Sequence, residues 1–268
     1  MERFMQLGQD MALLWGTYWK SYLGGIQSTL ILAVIATVIG CVIGLACGIL
    51  NTIPCSPNDP MPKRVLLRLV RILVRVYVEV FRGTPMVLQA VFIYYGLPYF
   101  SNNAMRFDNI WTAAILIVSI NTGAYMAETV RGGILSIDPG QTEGAKSIGM
   151  THVQTMIYVI LPQALRNIMP QIGNNLIINI KDSCVLSVIG LAELLYKTKA
   201  AAGALYMNFE TYTITMIMYF IMTFTCSRIL RWLENRMDGS DNYDLATTDT
   251  LAHTSGMYRY EEKKKEEE

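Results

Sequence analysis

The chain has 268 residues, of which 52% are hydrophobic and only 16% charged, with a formal net charge of +1. That balance is too apolar for an ordinary soluble domain and fits an integral membrane protein. Near-neutrality points to no polyanionic partner, nucleic acid included, so the positions of the charges matter more than their sum.

Residues 1–22 mix Trp15, Tyr18 and Trp19 with polar residues, the composition of a segment at a membrane surface. They lack the basic start, apolar block and cleavage site of a signal peptide. Residues 23–50 are apolar and long enough to cross a hydrocarbon core of about 30 Å, which takes roughly 20 helical residues. Within them Gly40, Gly44 and Gly48 form a stripe that admits a closely packed helix. Packing inside the subunit is the favoured reading of that stripe, with a dimer contact as the other.

Residues 51–62 hold Pro54, Pro57, Pro60 and Pro62 and read as a loop. Arg64, Arg68, Arg71 and Arg75 then follow at spacings of four, three and four, which puts them on one helical face with valines and leucines opposite. Such a helix belongs at the cytoplasmic surface, where anionic lipid attracts it, although a span with snorkelling arginines has a similar pattern. Residues 81–85 are a break. Residues 86–97 form a short apolar span whose start is open, because residues 76–80 could extend it. Residues 98–109 read as a polar loop.

Residues 110–130 form the next span. Asn121, Tyr125 and Glu128 recur at i, i+4 and i+7 and share one face. Polar groups inside a bilayer are costly and face protein or water, so this face is a candidate pore lining, with an interhelical hydrogen-bond network as the structural alternative. Arg131 stands three residues beyond Glu128 and is a candidate partner for it.

The run from 124 to 179 organises the rest. Asp138-Pro139-Gly140 breaks the chain, residues 141–148 can make a short helix, and Gly149 can end it in the left-handed conformation. A second helix is predicted over 152–160, stopping before Pro162. Beyond residues 163–170 lies a weakly hydrophobic span at 172–195. It carries Asn174, Asn175, Asn179, Lys181, Asp182 and Ser183, too polar for a lipid-exposed helix. Lys181 and Asp182 point in different directions and are expected to pair with groups on other helices. Residues 197–210 read as a polar loop and 211–230 as the last span. The tail from 237 onward is polar and reads as disordered.

Glu143-Gly144-Ala145, then Gly149, then Val159-Ile160-Leu161-Pro162 resemble the EAA loop of bacterial ABC-importer permeases, E-A-A-x3-G-x9-[IV]-x-L-P. Ala127 to Ile134 and Lys181-Asp182-Ser183 resemble the branch that imports polar amino acids. Gly144 stands where that family has alanine, a substitution that costs about 1 kcal/mol in a helix interior.

The resemblance implies an all-α membrane protein of about five transmembrane helices with the type I importer permease fold. Its transmembrane domain would cover residues 23–236 and its cytoplasmic coupling loop about 138–162. It further implies a separate ATP-binding subunit gripping Glu143, Gly144, Ala145, Gly149, Leu161 and Pro162, and a second permease subunit, identical or related. An external substrate-binding protein and a polar amino acid complete the set. Asn121, Tyr125, Glu128, Asn175 and Asn179 are the polar groups nearest the expected pathway, and Lys181, Asp182 and Ser183 are structural candidates. The positive-inside rule, applied to five spans, puts the N terminus outside and the C terminus inside a bacterial cytoplasmic membrane.

No catalytic residue, metal site or cofactor is expected in the chain; ATP and magnesium belong to the partner. Gly140 to Ser147 has the wrong spacing for a phosphate-binding loop. Cys41, Cys47, Cys55, Cys184 and Cys226 lack metal-ligand spacing, and His152 and His253 stand apart from candidate ligands. The rival function is an ion-coupled secondary transporter working without an ATPase.

Overall fold

A computed structural model describes residues 1–55 and 59–237, and the predicted tail lies outside these apart from its first residue. All regular structure among the described residues is helical. The chain divides into Met1–Leu230, described here, and Arg231–Glu268.

Helix α1 (Glu2–Thr52) runs unbroken through the boundary expected at residue 22. At 1.5 Å per residue it is about 77 Å long, well beyond a hydrocarbon core. Helix α2 (Met61–Gly83) takes in residues 76–80 and ends at Thr84-Pro85. Helix α3 (Met86–Val91) passes through a π turn, Phe92–Gly96, into α4 (Leu97–Phe100). Next comes α5 (Ile110–Leu135), whose first turn is capped by Asn109 accepting from the Trp111 N–H.

Helix α6 (Pro139–Ser147) and α7 (His152–Thr155) form the polar hairpin, and a second π turn, Met156–Ile160, leads into α8 (Leu161–Asp182). A 3-10 turn, Ser183–Ile189, and a break at Gly190 precede α9 (Leu194–Leu205) and α10 (Asn208–Met237).

Three expectations are corrected. The helix after the hairpin does not stop at Pro162, nor the one before it at Pro98. In both places a π turn precedes the Leu-Pro pair, with the Leu97 N–H bonded to Phe92 O and the Leu161 N–H to Met156 O. The widened turn makes room for a proline ring that a regular α turn would exclude. The span expected over 172–195 is instead a helix ending at Asp182, a 3-10 turn and a bend. Residues 197–210 are not a loop: Glu193 caps α9, its carboxylate accepting from the Leu195 and Tyr196 N–H groups at 2.8 and 2.6 Å, and four alanines favour the helix that follows.

Among the described residues three helices are long and apolar enough to cross a membrane: Phe4–Thr52, Ile110–Leu135 and Asn208–Arg236. The pair His152–Ile189 and Leu194–Leu205, bent by 55°, makes a fourth if it is one span, and Met86–Phe100 is a shorter apolar helix. These are the five apolar segments read from the sequence.

Helices α1 and α5 run parallel in close contact. A Cβ on Gly40 would meet the Thr122 Cβ at 2.6 Å, one on Gly44 the Met126 Cβ at 2.2 Å, and one on Gly48 the Val130 Cγ1 at 2.5 Å. The glycine stripe therefore serves packing within the subunit, each step of four on α1 matching a step of four on α5. Around this pair, Ile160, Ala164 and Ile168 pack on Met126, Val130 and Ile134. Val74 and Val78 of α2 cover Ala127 on another side.

Candidate functional site

The polar hairpin is built from firm local signals. The Asp138 carboxylate accepts from the Gly140 N–H and caps α6, with Pro139 in the first turn. At the other end Gly149 adopts φ +84°, its N–H bonds to Lys146 O at 3.0 Å, and the Met150 N–H bonds to Ala145 O at 3.1 Å. This is a Schellman closure, which only glycine makes cheaply. Thr151 and Gln154 then form a reciprocal capping box for α7. Gln163 donates to Gln141 at 3.3 Å and Asn167 to Ser136 at 3.2 Å, tying the hairpin to α8 and the end of α5.

The six coupling candidates divide by exposure. Ala145 is buried against the subunit's own body, whereas Glu143, Gly144, Gly149 and Pro162 are exposed and Leu161 is half-buried. Nothing stands within 4 Å of where a Gly144 side chain would begin. Apolar side chains flank this polar surface: Ile148 is 77% and Tyr158 72% exposed. An exposed apolar rim around a rigid short helix is the composition of a protein-docking surface.

The second region is the polar face of α5. Asn121 donates to the Gln89 side-chain oxygen at 3.0 Å and to Phe81 O at 3.2 Å. Gln89, buried on α3, donates in turn to the carbonyls of Phe81 and Thr84, both at 2.9 Å. It thus serves groups freed where the chain breaks at Thr84-Pro85. Glu128 pairs with Arg82 of α2 and not with Arg131, as the sequence spacing had allowed. Arg131 is exposed, on the same helix, and no ion pair joins it to Glu128. The Arg82 guanidinium also lies 5.3 Å from the centre of the Tyr125 ring.

Asn175 and Asn179 are elsewhere. Both are buried, Asn179 donating to the Thr37 hydroxyl at 2.8 Å and accepting from Thr122 at 3.1 Å, so that one amide joins α1, α5 and α8. Asn175 donates to Gln171 O and to the Met126 sulfur. Of the five predicted pathway residues, Tyr125 and Glu128 are exposed, Asn121 is half-buried, and Asn175 and Asn179 are buried.

Ser183 is buried and donates to Ile180 O at 2.9 Å. Lys181 is exposed and Asp182 half-buried, and among the described residues neither forms an ion pair within the chain. Arg82 and Gln89 were not singled out from the sequence; their only signal was a polar side chain at each end of the break around Pro85.

Helices long and apolar enough to cross a membrane, set around an exposed, firmly capped hairpin, are the architecture of a permease subunit of an ABC importer. The model of the family "Binding-protein-dependent transport system inner membrane component" matches residues 63–239. The chain belongs to that family.

Among its relatives, the glutamine transport system permease protein GlnP of Escherichia coli is 43% identical over 162 residues, 60% of this chain and 73% of GlnP. The arginine transport system permease protein ArtQ of Bacillus subtilis is 36% identical over 165 residues, 62% of this chain and 74% of ArtQ. The octopine transport system permease protein OccM of Rhizobium radiobacter is 30% identical over 249 residues, 90% of this chain and 96% of OccM. A solved structure of an amino acid ABC transporter with histidines superposes with a TM-score of 0.70 at 38% identity, covering 84% of this chain and 97% of that one. The inward-facing MetNI methionine transporter shares the fold, with a TM-score of 0.60 at 22% identity over 80% of this chain and 97% of its own.

The protein is thus a multi-pass inner-membrane subunit whose transport is powered by ATP hydrolysis on a separate subunit. This membership removes the secondary-transporter alternative.

Proposed function

We propose that this chain forms one half of the membrane pathway for a polar amino acid, with α6 as the helix gripped by the ATP-binding subunit. The observation that carries the reading is the hairpin: a helix closed at both ends, presenting Glu143 and Gly144 outward between exposed Ile148 and Tyr158. Binding energy released at the ATP sites can shift the pathway only through contacts that differ between its two states. A rigid helix docked on the moving partner supplies them. The substrate class is supported by relatives named for glutamine, arginine and octopine at 43, 36 and 30% identity.

The α5 face of half-buried Asn121 and exposed Tyr125 and Glu128, together with Arg82, lines the pathway in this reading. It offers both signs of charge and an aromatic face, which a zwitterion leaving water requires. Asn175 and Asn179 act as interhelical ties, and Lys181, Asp182 and Ser183 as structural groups at the bend. A second permease subunit closes the pathway, and an external binding protein delivers substrate. The basic residues of α2, the hairpin and the end of α10 lie on the cytoplasmic side, with the N terminus outside and the C terminus inside.

The test is uptake of labelled glutamine, arginine and histidine into proteoliposomes holding the chain, its ATP-binding subunit and the binding protein. Uptake should require ATP and fall when Glu143 and Ile148 are replaced. Accumulation driven by an ion gradient without the ATPase would overturn the reading.

A further inference from the structure

We propose that the cleft between the end of α1, the middle of α2 and the last turns of α5 binds a phosphate group, of the kind carried by anionic membrane lipids and by soluble phosphates. The cleft has a volume of about 400 Å³, and its polar lining comprises Asn51, Arg71, Arg75, Glu79, Glu128 and Arg131. It borders the polar face of α5 and is distinct from the coupling hairpin.

The charges in this lining do not cancel. Glu128 is already held by Arg82. Among the described residues no carboxylate lies within ion-pair distance of Arg71, Arg75 or Arg131. Three guanidinium groups therefore share one cleft with a single uncommitted carboxylate, that of Glu79.

Arg71 gives the sharpest sign. Its terminal nitrogen donates to the Ile53 carbonyl at the end of α1, which fixes the side chain in place, while its Nε is buried and has no hydrogen-bond partner. A buried charged donor without an acceptor is unfavourable, and the remaining guanidinium nitrogens suit oxygens arranged as in phosphate. Arg75 stands one turn further along the same face of α2, and Arg131 is contributed by α5. Together with the Asn51 amide they offer more donors than a single carboxylate can accept, whereas a phosphate has the acceptor oxygens to engage them at once. A phosphate held there would bridge α2 and α5 beside the Arg82–Glu128 pair.

The lipid source rests on the orientation given under the proposed function, because the anionic headgroups would be those of the cytoplasmic leaflet. The binding test does not depend on transport. The full chain, purified with its ATP-binding subunit, is exchanged into phosphatidylcholine and challenged with phosphatidylglycerol or with sodium phosphate. Lipid retention is read by native mass spectrometry and stability by thermal unfolding.

Phosphatidylglycerol should be retained over phosphatidylcholine, and Arg75→Gln and Arg131→Gln should each cut that preference about fivefold. Arg106→Gln, an exposed arginine outside the cleft, should leave it unchanged, and Arg75→Lys should restore part of it. Gel filtration and co-purification with the ATPase check that each variant is folded. If sodium phosphate stabilises the protein through the same arginines and phosphatidylglycerol does not, the site stands and its ligand is a soluble phosphate. Equal retention of both lipids with no effect of phosphate, or a preference that survives both substitutions, overturns the proposal. Loss of ATP-driven uptake with the lipid preference intact would count against the import reading and leave the site standing.

Discussion

Arg82 on α2 and Glu128 on α5 form an ion pair across the groove between the two helices, and the same guanidinium covers the Tyr125 ring at 5.3 Å. One arginine therefore engages the two exposed residues, Tyr125 and Glu128, of the three polar residues on this face of α5. Both partners are substantially exposed, at 39% and 49% of their side chains, so the pair contributes about 1 kcal/mol or less to folding. Glu128→Gln should lower the unfolding temperature little and lower amino-acid uptake much more. The double variant Arg82→Glu with Glu128→Arg should recover stability without recovering uptake. If uptake returns with the swap, the pair is structural and not part of the pathway.

Burial reverses the expectation for Asn179. Its amide satisfies the Thr37 and Thr122 hydroxyls, so Asn179→Ala leaves polar groups stranded and should cost about 1–3 kcal/mol. Adding Thr122→Val, which removes the hydroxyl left without its acceptor, should recover part of that loss, since Thr37 still donates to Ala33 O. Substrate selectivity of the folded fraction, measured by competition between glutamine and arginine, should be unchanged.

Contact between α1 and α5 predicts a gradient in tolerance to alanine along α1. Gly44→Ala sets a Cβ 2.2 Å from the Met126 Cβ and should destabilise by about 1–3 kcal/mol through overpacking. Gly24→Ala meets nothing within 4 Å and should stabilise by about 1 kcal/mol through helix propensity alone. Thermal unfolding of the two variants in the same detergent gives the comparison.

The two glycines of the hairpin should respond in opposite ways. Gly149→Ala forces φ +84° on a residue with a Cβ, at a cost of about 1–2 kcal/mol, and should weaken substrate-stimulated ATP hydrolysis. Gly144→Ala enters open space within a helix and should strengthen α6 by about 1 kcal/mol while preserving coupling. Steady-state ATPase activity of the assembled complex, with and without loaded binding protein, reads both.

The hairpin was legible because its signals are local: an aspartate cap, a proline in the first turn and a glycine at the one position that needs positive φ. The glycine stripe was legible as a packing surface, but its partner helix was not, since nothing in residues 40–48 encodes residues 122–130. Proline misled twice. The rule that Pro162 and Pro98 end helices assumes a regular ladder, and each π turn supplies the extra residue that lets the helix continue. Helix α9 was hidden because its cap, Glu193, read as part of an apolar span. The Arg82–Glu128 pair, joining residues 46 apart in the chain, escaped any local pattern and was displaced in the reading by the nearer Arg131.

Three successive glycines of α1 come so near to α5 that there is no slack for either helix to slide or roll against the other. The two act as a single stiff beam. If the hairpin is driven as proposed above, a swing there is passed along that beam, and the bending falls to softer joints: the kink at Gly190, where φ is +90°, and the exposed salt link between α2 and α5.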